Sequence, residues 1–180
     1  LVGLSSSMEN TRKWLLIGLS IGQRVSDLLR LNPVQIRSAE HGLYIDIIQQ
    51  KTEKHVTVGL IDPDVVDILK KDFPYKISQQ LFNKQLKELC KYAGIDQSVK
   101  AYKVCLKTKR RVLGIYPKYS VISSHDLRRS FATNYSWKIE TPILMQITGH
   151  SKETTFLSYI GQNANKDAYA DAFMKVAAAL

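Results

Sequence analysis

The apolar positions of this chain change period several times, and each change marks an element. Trp14, Leu15, Ile17 and Leu19 follow helix-start signals at Asn10 and Thr11, and the helical pattern resumes after Gly22 with Val25, Leu28 and Leu29. Gly22 is free to turn the chain sharply between the two pieces. From Val34 the period falls to two: "HGLYIDIIQQ" alternates through Leu43, Ile45 and Ile47, and "HVTVGL" alternates again from Val56. These runs predict a small antiparallel sheet with its turn at "KTEK". Asp62 and Pro63 supply an N-cap and first turn for a helix over "DVVDILKKDF". Ser78 opens a longer helix, "QQLFNKQLKELCKYAG", that Gly94 ends.

Residues 95–122 carry the weakest pattern. Beyond them "SHDLRRSFAT" reads as helix, Thr141 and Pro142 start another through "ILMQIT" that Gly149 stops, and "SKETTFLSYIG" begins a third, capped by Ser151 or Thr154. In the tail from Asn165 to Leu180, Tyr169, Phe173, Val176 and Leu180 recur at helical intervals, giving an apolar face that needs a cover. The sum is an α+β fold, mainly α-helical, with a small antiparallel sheet inserted among helices. Residues 1–9 read as a polar lead-in after a domain boundary, so the chain is expected to be a piece of something longer.

Composition sharpens this picture in two places. The formal net charge is +10 and the pI about 9.6, a balance that attracts polyanions and gives nucleic acids a salt-sensitive affinity. Part of the excess sits in "KAYKVCLKTKRRVLGIYPK", which has seven basic residues and no acidic one. This stretch is either a solvated basic loop or hairpin, or a surface that lies on phosphates through Lys103, Lys107, Lys109, Arg110 and Arg111. No apolar run reaches the roughly 20 residues that span a bilayer, and "WLLIGLSIG" lacks signal-peptide flanks, so an intracellular, cytoplasmic protein is expected. Cys90 and Cys105 lack metal-site or CxxC spacing and read as reduced packing residues.

The candidate chemistry lies in residues spread along the chain: Arg24, Lys51, His125, Arg128, His150 and Tyr159. Each alone has a structural explanation. Arg24 can cap a helix or pair with Asp27, His125 can neighbour an N-cap, and Tyr159 can be half-buried core. Together they specify more, because two arginines and two histidines can surround a phosphodiester and stabilise charge developing on its nonbridging oxygens. A tyrosine with a base or cations beside it can attack the phosphorus. A lysine on a turn can protonate the leaving 5′ oxygen, with Lys51 placed for that and Lys54 as the alternative.

At these residues the chain resembles the catalytic domain of the tyrosine recombinases, the phage-type integrase family, over residues 10–162, most closely in the style of integrases from bacterial mobile elements. The family's Gly-x-Arg-x-x-Asp/Glu motif is matched by "GQRVSDLLRL" through Arg24 and Asp27, and its hairpin lysine by "QQKTEKHVTVGL" through Lys51. Its His-x-x-Arg box is matched by "SHDLRRSFAT" through His125 and Arg128, its Gly-His by "ITGHS" through His150, and its nucleophile by "ETTFLSYIG" through Tyr159. The nine-residue step from His150 to Tyr159 is the family's usual one. Two positions depart: Glu53 stands where relatives often have Gly, and Gly59 where a Pro is common.

The resemblance implies attack by Tyr159 to form a 3′-phosphotyrosine bond and free a 5′ hydroxyl, with no metal or nucleotide cofactor. Arg24, Arg128 and His150 would hold the phosphate, His125 would assist proton transfer, Lys51 would act as general acid, and Asp27 would orient Arg24 or support the fold. The implied partners are double-stranded DNA sites, accessory DNA-bending proteins, and further copies in a homo-tetramer joined through the tail of residues 163–180, the alternative for that tail being to fold back on its own domain. A bacterial, nucleoid-associated location follows from the same likeness, as does a helical core-binding domain ahead of this one; without that domain the chain is expected to bind DNA weakly. Three rivals remain: a type IB topoisomerase, a DNA-binding module that keeps the fold without catalysis, and a metal-dependent phosphoesterase. The last would need convergent carboxylates, whereas the two candidate histidines lie among arginines.

Overall fold

Helix α1 (Ser6–Ile21) is the central element of the chain. It begins four residues earlier than the pattern suggested, because the Ser5 hydroxyl accepts the Met8 N–H as an N-cap and draws "SSME" into the first turn. Trp14, Ile17 and Ile21 form its buried stripe, and the Trp14 indole donates to the Tyr75 carbonyl at 2.9 Å. The helix stops at Gly22 in the left-handed region (φ 62°), where a β-carbon would fall 2.3 Å from Cδ1 of Phe131. Only glycine permits both that turn and the close approach of Phe131. The chain then enters α2 (Val25–Leu28) and a 3-10 turn over Pro33–Gln35.

In this computed structural model residues 3–105, 107–136 and 138–161 are described, together with 167, 170, 171, 174, 177 and 178. The predicted apolar face of the tail (Tyr169, Phe173, Val176 and Leu180) lies outside the described residues. The sheet has three antiparallel strands in the order β1 (Ile36–Ala39), β2 (Gly42–Ile48) and β3 (His55–Leu60), with Ile45 opposite Ile36 on one side and Val58 on the other. The predicted alternation holds: Leu43, Ile45 and Ile47 point inward together with Val56, Val58 and Leu60. Strand β1 escaped the sequence reading because "IRSA" is short and only partly buried.

Helix α3 (Pro63–Lys71) is capped by the Asp62 carboxylate, and α4 (Gln79–Tyr92) by Ser78 through the Leu81 N–H. Val65, Leu69, Phe82 and Leu86 bring both helices onto α1, and this larger core also includes the inner face of the sheet. The weakly patterned stretch resolves into a hairpin of β4 (Ser98–Val104) and β5 (Arg111–Pro117), which leads into a single turn α5 (Lys118–Val121). Neither strand buries a continuous face, which is why no period-two signal reached the sequence.

Three helices complete the fold: α6 (Ser124–Tyr135), α7 (Thr141–Thr148) and α8 (Glu153–Ile160). Ser123 and Asp126 close a capping box on α6, the Ser123 N–H donating to the carboxylate at 2.8 Å. At the start of α8 neither Ser151 nor Thr154 caps; the N-cap position is Lys152, without a side-chain bond. Phe131, Ala132, Leu144, Phe156 and Ile160 form a second, smaller core where these three helices meet. This is a mainly helical α+β architecture with small antiparallel sheets, as the pattern predicted.

Candidate active site

Most of the catalytic candidates sit at or near an element end. Arg24 occupies the N-cap position of α2, immediately beyond the Gly22 turn. His125 and Arg128 lie in the first half of α6, three residues apart and therefore on one face. His150 follows the glycine that ends α7, and Tyr159 lies in the last turn of α8. Five of the six predicted residues converge: the Tyr159 ring lies 5.2 Å from each histidine ring, and its hydroxyl reaches the His125 carbonyl at 3.4 Å. Arg24, His125 and Arg128 together line a cleft of about 320 Å³.

Arg128 is 2% exposed, and its guanidinium donates to the Gly22 carbonyl at 3.2 Å. Burial, reinforced by repulsion from Arg24, pulls its pKa down to about 10, so it stays cationic at neutral pH. Burial also lowers His150, with Arg128, Arg24, His125 and Lys54 adding to the effect, to about 4. The ring is therefore neutral at pH 7. Burial raises the Tyr159 phenol, while Arg128 and Arg129 oppose that rise. The site thus holds a protonated phenol beside the Arg128 and Arg129 cations.

Lys51 is exposed on the β2–β3 turn and makes no side-chain hydrogen bond or ion pair among the described residues. It is Lys54, on the same turn, that approaches the cluster, donating to the Ser151 hydroxyl at 3.0 Å and lying near enough to depress His150. Glu53 between them adopts φ 53°, the left-handed conformation that the family's glycine would take without strain. Asp27 forms no ion pair with Arg24; its Oδ1 accepts the Gln50 N–H at 2.9 Å and so ties α2 to the turn.

Two glutamines that sequence reasoning passed over hold this arrangement together. Gln49 is fully buried: its Oε1 accepts from Arg24 at 3.2 Å and from the Thr52 hydroxyl at 2.8 Å, while its Nε2 donates to Gln23 at 2.8 Å. Gln23 in turn donates to the Ile21 and Ile147 carbonyls. The pair fastens the Gly22 turn, the lysine turn and the end of α7 to one another. Gly149 (φ 69°) belongs to the same contact, since a β-carbon there would fall 2.1 Å from Gln49 Oε1. A signal was present: Gln49 continues the inward phase of Leu43, Ile45 and Ile47, where an amide needs partners.

The basic hairpin stands apart from this cluster. Lys103, Lys107, Lys109, Arg110 and Arg111 are all exposed and make no hydrogen bond or ion pair with it through their side chains, while Lys103 lies over the Tyr116 ring at 5.4 Å. Both cysteines are free. Cys90 is a buried core residue as expected, whereas Cys105 sits half-buried at the hairpin tip, where hydrogen bonding from Thr108 lowers its thiol pKa; it is not a core packing residue. No three His, Cys, Asp or Glu side chains gather as a metal site among the described residues. No described helix is long and apolar enough to cross a membrane.

Placed beside known proteins, this arrangement has relatives. The family model for the phage integrase family matches residues 5–166, and the chain belongs to that family, the tyrosine recombinases its motifs resemble. Among solved structures it is similar to the XerH site-specific recombinase bound to difH substrate, with a TM-score of 0.62 and 17% identity over 88% of this chain and 45% of the other. A lambda integrase dimer bound to a core site gives 0.63 and 18%, over 87% of this chain and 53% of the other. The Tn1549 transposon integrase with transposon right-end DNA gives 0.60 and 16%, over 94% and 59%. The chain spans about half the length of these solved relatives. No curated protein matches it at a significant level.

Proposed function

We propose that the chain is the catalytic domain of a site-specific DNA recombinase that cuts and rejoins strands through a covalent 3′-phosphotyrosine on Tyr159, in integration or excision of a mobile element. The observation that carries this reading is the packing of Tyr159 between two histidines beside a cleft lined by two arginines. Arg24 and Arg128 hold the nonbridging oxygens, where preorganised cations contribute most to lowering the barrier. The phenol oxygen attacks phosphorus, its proton leaves with assistance from His125, and the P–O5′ bond breaks. A lysine of the β2–β3 turn protonates the departing oxygen: Lys51 by motif, reached by a shift of its exposed turn, with Lys54 already at the rim. The freed 5′ hydroxyl of another duplex reverses the step, so no net bond energy is lost.

The relatives named above were solved on DNA, which supports a duplex substrate for this chain. We extend the reading to Lys103, Lys107, Lys109, Arg110 and Arg111 as backbone contacts, to a homo-tetramer joined through the C-terminal stretch, to accessory DNA-bending proteins, and to the bacterial nucleoid as the place of action. The test is a trapping assay on nicked suicide duplexes with randomised core sequence, run in EDTA. Wild type is expected to give a denaturation-resistant protein–DNA adduct and Tyr159→Phe none. Duplex binding without any adduct would sink the catalytic reading and leave a DNA-binding module. An adduct that persists in Tyr159→Phe would place the nucleophile elsewhere.

A further inference from the structure

Thr148 ends α7 with its side chain fully buried, and its hydroxyl sits between two neighbours. It donates to the Leu144 carbonyl at 2.6 Å and stands 2.8 Å from Nδ1 of His150. A threonine hydroxyl carries one hydrogen, and a carbonyl only accepts. That hydrogen is committed to Leu144, so the second contact is filled by the ring's own N–H. We infer that Thr148 is a positioning residue that holds His150 as the Nδ1–H tautomer, leaving Nε2 with a bare lone pair in the site.

The surroundings keep the ring in that pose. The His150 N–H donates to the Met145 carbonyl at 3.0 Å and the Gly149 N–H to the Gln146 carbonyl at 3.3 Å, a pair of bonds that closes the end of α7 and fixes the backbone. The ring packs against Phe156 at 5.3 Å and Tyr159 at 5.2 Å. The charged and titratable groups around it come from four directions: Arg24 from the Gly22 turn, Lys54 from the β2–β3 turn, His125 and Arg128 from α6, and Tyr159 from α8.

This choice of tautomer decides what His150 can do. While neutral, Nε2 accepts a hydrogen bond and cannot give one to a phosphate oxygen. It becomes a donor only as the imidazolium, after Nε2 takes a proton from solvent, and an arriving phosphodiester anion favours that uptake. His150 is then a phosphate ligand whose donor capacity is switched on by the substrate. The uptake step rests on the function proposed above; the tautomer belongs to the free chain and is measured without DNA.

The experiment is a long-range proton–nitrogen spectrum of the histidine rings of the free protein at neutral pH, with His150 assigned by the signals lost in His150→Gln. Wild type is expected to show His150 protonated at Nδ1 and unprotonated at Nε2. Thr148→Ser, which keeps the hydroxyl, retains that signature, whereas Thr148→Val loses it in favour of Nε2–H or a mixture. Thr148→Ala gives the same readout should the valine variant fail to fold. An Nε2–H ring in wild type, or an unchanged Nδ1–H signature in the valine or alanine variant, overturns the inference.

Discussion

Burial sets the protonation of His150 and Tyr159 at the residue scale, and for His150 the effect has a sign that can be tested on the free protein. Its pKa falls from an ordinary 6.5 to about 4 in the fold. Above pH 6.5 the ring is neutral in both states, and the stability that accompanies a neutral buried ring is fully present. As pH falls from 6.5 towards 4 the unfolded chain takes up the proton and the folded one does not, so stability drains across that window. Below about 4 both states are protonated and this loss levels off. The urea midpoint of wild type should therefore fall more steeply between pH 6.5 and 4 than that of His150→Gln; parallel curves would show that the ring is not held neutral by the fold.

Strands and helices differ in how much of themselves they showed beforehand, and the difference follows burial. The inner face of β2 and β3 and the stripe on α1 announced themselves through period, and the capped starts of α3 and α4 through their side-chain chemistry. The β4–β5 hairpin did not, because Tyr102, Val104, Val112 and Ile115 stay exposed and leave no alternation to read. The five motif residues that converge were legible as types at fixed spacing. Gln23 and Gln49 bond to partners as many as 124 residues away in sequence, so only the inward phase of Gln49 was there to read, while Thr148 bonds to near neighbours but is buried by the fold alone. The exposed hairpin also carries its own prediction. If Lys109, Arg110 and Arg111 lie on phosphates, replacing all three with alanine lowers duplex affinity and reduces the slope of log K against log salt by about 0.9 per lost contact. An unchanged slope would mean the hairpin is merely solvated.

At the scale of the whole molecule the described residues form two cores rather than one, and the site lies where they meet. The larger core joins α1, the sheet, α3 and α4, and carries Arg24 at the start of α2; the smaller joins α6, α7 and α8, and carries Tyr159. Phe156 is fully buried in the smaller one. Phe156→Ala should cost about 3–5 kcal/mol in urea denaturation, as truncation of a packed aromatic does, and should reduce adduct formation at temperatures where the chain is still folded. A loss of stability with adduct yield intact would separate the second core from the chemistry.

The contact between Gly149 and Gln49 also limits how this sequence can drift. Positions 49 and 149 share one volume, so alanine at 149 needs the Gln49 amide to swing away or a smaller residue at 49. Either step would release Arg24, loosen the lysine turn and break the link to Gln23. The path to an ordinary side chain at 149 therefore begins with the loss of the Gln49 bonds that hold the site, and selection has to treat the two positions as one. Among relatives that keep both arginines and the tyrosine, a glutamine at the first position should be accompanied by glycine at the second; frequent alanine beside that glutamine would show that the backbone there has another way to make room.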